Sequence, residues 1–187
     1  MTPTGPRPLY SAAQAVAQAR ALVGRGVYQL GTGDMESSRD DPRDCFGFAV
    51  CELYGIKRHR QGFNKGPWAT VEDDLNCNSA IEDAGHAGEL FERVSRPTAG
   101  VLIAYPTIYL PNHPDPFIGH IGIVVGISRV FEWDPTYPNY AALDVVQCHG
   151  PKGRRPGIVG SDGAIWDHHD SLWPKPEHRT VMLRVKP

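Results

Sequence analysis

The sequence predicts an α+β domain, with helices in its first half and an antiparallel sheet in its second. Two observations carry this reading. Apolar residues recur at helical spacing up to about residue 54, whereas from Gly100 onward they run in short β-branched stretches bounded by Gly, Pro and Asn. Helices followed by strands, rather than alternating with them, indicate segregated layers instead of a parallel sheet. The 187 residues, 41% of them hydrophobic, supply one core of ordinary size without a disulfide framework.

The elements follow in order. Residues 1–9 are Pro-rich and read as a flexible lead. Ser11 caps a helix whose apolar face is Ala12, Val16, Ala19, Leu22 and Val23, and Gly24 stops it. The stretch 26–42 is turn-rich. Asp44 then opens a second helix, Cys45 to Tyr54, with Gly55 as its C-terminal stop. Residues 57–66 read as loop and 68–93 as weakly helical, on the apolar positions Val71, Leu75, Ile81, Leu90 and Phe91. Strands are predicted over 101–105, 118–127, 143–149 and 180–185, with a Pro-rich loop, 106–116, between the first two. No internal repeat or low-complexity tract interrupts this order, so the chain is read as one domain over 1–187.

Charge and composition exclude several classes. The formal net charge is -2 and the pI near 6.4, against the basic excess of a nucleic-acid binder. Lys57-Arg58-His59-Arg60, with Lys152, Arg154 and Arg155, reads as solvated loop charge. No apolar run reaches membrane-spanning length, so no membrane insertion is expected. The first residues lack the apolar region of a secretory signal, which predicts synthesis in a cytoplasm. The four cysteines, Cys45, Cys51, Cys77 and Cys148, form no close pair of the zinc-ribbon kind.

Three residues carry candidate chemistry. Cys45 sits in the first turn of a helix, where unpaired N–H groups and the positive end of the dipole favour the thiolate and offer an oxyanion donor. Gly47 would keep the surface beside the thiol open. His120 lies in a strand between Gly119 and Gly122, which permit close approach, and is the candidate base. His149 ends the next strand and is the candidate orienter that fixes the imidazole tautomer, with Gln147 and Asp144 as alternatives. Taken singly, each has a plainer role: a lone buried cysteine is usually a small hydrophobe, and a lone strand histidine is usually core. A zinc site from Cys45, His120, Cys148 and His149 is opposed by alternation, since adjacent strand residues face opposite ways. No metal or organic cofactor is expected.

In combination these residues match a known pattern. Asp44-Cys45-Phe46-Gly47-Phe48-Ala49-Val50 resembles the Asp-Cys-Ser-Gly-Phe-Val signature of NlpC-type cell-wall peptidases. Tyr28-Gln29-Leu30-Gly31-Thr32-Gly33 is similar to the family's Tyr-x-x-Gly-Gly element. Gly119-His120-Ile121-Gly122-Ile123-Val124-Val125-Gly126 is similar to its Gly-His-Val-Gly-Ile-Tyr-x-Gly strand, and Val146-Gln147-Cys148-His149 to the strand after it. Residues 97–102 resemble the Pro-Gly-Asp-Leu turn that opens the family's sheet. The resemblance spans roughly residues 11–150 in the same order. Phe46 departs from the family's Ser, and Thr32 displaces its second Gly. Residues 56–97 and 150–187 match no motif; the latter are expected as an extension packed on the domain, with Trp166, His168, His169 and Trp173 as possible groove residues.

The resemblance implies a papain-like fold with the nucleophile helix packed on a small antiparallel sheet. It implies Cys45 as nucleophile, His120 as base and His149 as orienter, with Tyr28, Asp44 and Phe46 at the substrate and Phe46 making an apolar subsite. The implied activity is cleavage of an amide in the peptide part of bacterial peptidoglycan. Without a secretory signal, the expected setting is a phage lysis or virion enzyme, or an effector toxin injected into a rival cell. Peptidoglycan or its stem peptides would be the partner, with an immunity or delivery protein also possible. Cleavage of a different amide, or acyl transfer by the same thiol, is the alternative.

Overall fold

A computed structural model describes residues 8–35, 41–58, 75–86, 88–108, 118–127, 133–136, 138–148, 157–159 and 179–187. Helix α1, Ala12–Ala21, begins at Ser11, whose hydroxyl accepts from the Gln14 amide while Gln14 reaches back to the Ser11 N–H. It buries Ala15 and Ala19 and is tied to the sheet by Arg20, which donates to the Val125 carbonyl at 2.8 Å. Two short strands, β1 (Val27–Tyr28) and β2 (Pro42–Arg43), pair in parallel and bring the 27–34 segment to the start of the next helix.

That helix runs over residues 45–54, as the capping pattern predicts, and widens to π geometry over Gly47–Glu52. The Ile56 N–H reaches back five residues to the Cys51 carbonyl, and Gly55 takes the left-handed φ of +64° that ends it. Nearly every residue from Cys45 to Ile56 is buried, so it is a core helix rather than an amphipathic one.

Helix α2, Cys77–Gly85, starts at Asn76, whose side chain caps the amides of Asn78 and Ser79. The expected weak helix over 68–93 is therefore only partly realised. Residues 68–74 lie outside the described set, and Phe91–Arg93 form a strand, β3. The change of direction is built by Asp83, whose carboxylate accepts from the amides of Glu89, Leu90 and Phe91 at 2.8–2.9 Å. Bonds to a capping carboxylate of this kind cannot be read from apolar periodicity.

The remaining strands are β4 (Leu102–Tyr105), β5 (His120–Ile127), β6 (Leu143–Gln147), β7 (Gly157–Val159) and β8 (Val181–Val185). With β3 they form one six-stranded sheet in the order β3-β8-β4-β5-β6-β7, every pair antiparallel. The architecture is thus α+β, as expected. The segment expected as an appended extension supplies β7 at one edge and β8 inside the sheet, hydrogen-bonded to both β3 and β4. The four aromatic and histidine residues singled out in that segment, Trp166 to Trp173, lie outside the described residues.

One main core holds the sheet against the helices, from Ala15 and Ala19 through Phe46, Phe48 and Leu53 to Ile121, Ile123 and Leu183. A second cluster, Ile103, Tyr105, Val124, Tyr140, Leu143 and Val145, occupies alternate positions of the same strands, with Trp133 packed against it. Among the described residues, no helix is long and apolar enough to cross a membrane.

Candidate active site

Three strand termini and two helix starts meet at one end of the sheet. Tyr105 ends β4, His120 opens β5 directly opposite it, and Gln147 ends β6. The β5–β6 register places Val146 opposite Ile123, hence Gln147 beside Gly122, on the face that His120 shares. A Cβ at Gly122 would stand 2.8 Å from a Val145 methyl and 3.2 Å from the Gln147 Cβ. Glycine there lets Gln147 lie close to β5 and reach back diagonally to the imidazole. The His120 Nε2 and Gln147 Oε1 are 2.7 Å apart. A carbonyl acceptor on Nε2 means that Nε2 carries the hydrogen, which leaves Nδ1 to serve the thiol.

Cys45 opens the core helix, and the His120 and Cys77 side chains act on its thiol. The Cys77 contact, foremost, lowers the thiol from its ordinary value to about 5. Burial opposes this; the His120 charge and its hydrogen bond reinforce it. For His120, burial disfavours protonation, but the Cys45 thiolate and hydrogen bonds to Cys45 and Gln147 outweigh it and raise its pKa. The two shifts run in the same sense, each favouring a thiolate–imidazolium pair over two neutral groups.

Asp44 does what the sequence predicts of a cap and more. Its Oδ1 accepts from the Gly47 amide at 2.7 Å and its Oδ2 from the Gly31 amide at 2.9 Å. Arg58 grips both oxygens, at 3.0 and 2.7 Å, and also donates to the Thr32 carbonyl at 2.8 Å. Arg58 therefore is not solvated loop charge. A buried carboxylate that caps a helix needs a counter-ion, and Arg58 supplies it. With Asp44 only 2% exposed and both oxygens engaged, a substrate amine would have to compete with Arg58 for it.

Two further expectations are corrected. Phe46 is 1% exposed and packs in the main core, so its side chain offers no subsite surface. Gly47 does not keep the surface open; it is itself buried, and a Cβ there would collide with the Thr32 carbonyl and stand 2.8 Å from the Gly33 Cα. Glycine is required because the 32–33 backbone lies against the helix. Tyr28, expected near the thiol, is half-buried on β1 opposite Arg43, and its hydroxyl is raised by burial and then by the Cys45 charge.

His149, the expected orienter, lies outside the described residues; Gln147, one of the alternatives, is the residue found at His120 Nε2. Cys77 was missed. A single cysteine at a helix start in an unmatched stretch reads as core, and no sequence signal points it at Cys45. What places it is a relay of hydrogen bonds: Asn78 Oδ1 accepts from the Thr107 amide, and Thr107 Oγ1 from the Gly119 amide, each at 2.7 Å. The first turn of α2 is thereby pinned to the segment leading into His120. Among the described residues, no three His, Cys, Asp or Glu side chains converge to hold a metal ion.

The site thus brings together a buried thiol of lowered pKa and a histidine bonded to Gln147. No protein-family model matches the chain, and neither a curated protein nor a solved structure is significantly similar to it.

Proposed function

We propose that this chain is a papain-like cysteine hydrolase that cleaves an amide in the peptide part of bacterial peptidoglycan. The single observation that carries the proposal is the Cys45–His120–Gln147 array at the start of a buried helix. The resemblance of the Asp44–Val50 and Gly119–Gly126 segments to NlpC-type peptidases supports the substrate class.

In this mechanism the Cys45 thiolate attacks the amide carbonyl, and the Cys45 N–H at the helix start donates to the oxyanion. The His120 imidazolium delivers its Nδ1 proton to the leaving amine. Water then adds to the thioester with His120 as base, the carboxylic acid leaves, and the thiolate returns. Gln147 keeps the ring from turning through both halves of the cycle. The enzyme acts on the wall after release or injection, in a phage or interbacterial setting, where an immunity or delivery protein would be a natural partner.

The test is release of new amino groups from purified sacculi. Wild-type protein is expected to release them and Cys45→Ala not to. If neither releases amines while Cys45 is still alkylated rapidly by iodoacetamide at neutral pH, the thiolate mechanism stands and the substrate class is refuted. An inert Cys45 refutes both.

A further inference from the structure

None of the four cysteines is in a disulfide and all are buried, but they are not equivalent. Cys51 is in the core of its helix. Cys148 donates its thiol to the Arg43 carbonyl at 3.4 Å and is wholly buried. Cys77 opens α2, whose first turn is pinned to the segment leading into His120, and it shares the main core cluster with Cys45, on whose thiol it is the foremost influence. No step of the hydrolytic cycle forms a bond to a second sulfur beside the nucleophile. Two neighbouring thiols at the starts of two helices, one of them of lowered pKa, suit disulfide exchange at the nucleophile.

We infer that Cys77 is a resolving cysteine, which captures oxidised Cys45 as a reversible Cys45–Cys77 disulfide and switches the hydrolase off under peroxide. The inference rests on the thiolate reading of Cys45. In the first step the Cys45 sulfur attacks hydrogen peroxide; an S–O bond forms, the O–O bond breaks, and the leaving hydroxide takes a proton to become water. The sulfur is oxidised by two electrons and the peroxide reduced. In the second step the Cys77 sulfur attacks the Cys45 sulfur; the S–S bond forms, the S–O bond breaks, and the departing hydroxide leaves as water with the Cys77 proton. A reducing dithiol returns both thiols by exchange and is itself left as a disulfide.

The order of events is built into the contact. Cys77 is kept protonated, well above an ordinary thiol, first by its hydrogen bond to Cys45, then by burial and the Cys45 charge. Oxidation of Cys45 to the neutral sulfenic acid removes that charge, so Cys77 becomes a better nucleophile only once there is something to resolve. The Asn78–Thr107–Gly119 relay holds the two helix starts together meanwhile. Cys148 sits electrostatically close to Cys45 but is committed to Arg43, and burial with the Cys45 charge pushes it up to about 12.

The test treats the full chain with hydrogen peroxide and maps its peptides without reduction, alongside Cys77→Ser, which retains a hydrogen-bond donor but has no sulfur. Wild type is expected to yield a Cys45–Cys77 linked peptide, to lose iodoacetamide labelling at Cys45, and to recover it with dithiothreitol. Cys77→Ser is expected to pass on to Cys45 sulfinic acid, with labelling lost for good. Circular dichroism before treatment confirms that the variant is folded; if it is not, Cys77→Ala takes its place. A wild-type protein whose Cys45 alkylates at neutral pH yet goes to sulfinic acid as fast as the variant, or links to Cys148 instead, overturns the resolving role alone. A Cys45 that neither alkylates nor oxidises overturns it together with the thiolate mechanism.

Discussion

Replacing Gln147 with Leu tests the site without any substrate. Gln147 is fully buried, and its Oε1 lies 2.7 Å from His120 Nε2. Its Nε2 has no hydrogen-bond partner among the described residues, so Leu removes one unsatisfied donor as well as the acceptor and should fold. What is lost is a hydrogen bond to a charged imidazolium, worth about 1.5–3 kcal/mol. At about 1.4 kcal/mol per pKa unit, His120 should fall by roughly one to two units. The Cys45 inflection, set while His120 is still charged, should stay near 5, and the ion pair should instead be lost at lower pH on its alkaline side. The assay is the pH profile of iodoacetamide labelling at Cys45, with His120 followed by NMR. Gln147→Glu, which keeps an acceptor and adds charge, should move His120 the other way. A folded Leu variant whose His120 inflection stays put would refute the claim that Gln147 holds the imidazolium.

Other perturbations have equally definite outcomes. Cys77→Ala removes the largest influence holding Cys45 low, and its labelling inflection should rise by about one unit, read from the same pH profile. Gly47→Ala forces a Cβ against the 32–33 backbone and should cost about 1–3 kcal/mol in urea unfolding, with slowed Cys45 labelling as the helix start shifts. Glu52 is raised to about 7, by burial first, with Arg43 opposing and Asp41 reinforcing. Because its folded value lies above its unfolded one, its contribution to stability is greatest below about 4.5 and is lost as pH rises toward about 7. Discounted for partial exposure, the loss is on the order of 1–2 kcal/mol, so the melting temperature of Glu52→Gln relative to wild type should increase from pH 5 to pH 8.

The sequence alone settled whatever depends on neighbours along the chain. Ser11, Asp44 and Gly55 mark helix ends because capping bonds span three or four residues, and those ends fall where predicted. The strands around residues 102–105, 120–127, 143–147 and 181–185 follow from β-branched runs. The placement of Cys45 at a helix start needed nothing further.

Tertiary structure decided every partnership across the chain. The pairing of His120 with Gln147 depends on a β5–β6 register and on the space left at Gly122, both products of packing. Arg58 turned from a loop charge into the counter-ion of Asp44 because that carboxylate is buried, and burial is a property of the assembled core. β8 enters the sheet between β3 and β4, far from β4 in sequence, since strand order is set by which apolar faces close together. Cys77 meets Cys45 only because α2 is pinned to the sheet end by Asn78 and Thr107. Local hydrogen bonding and periodicity are written in adjacent residues; contacts between distant segments exist only once the chain has closed on its core.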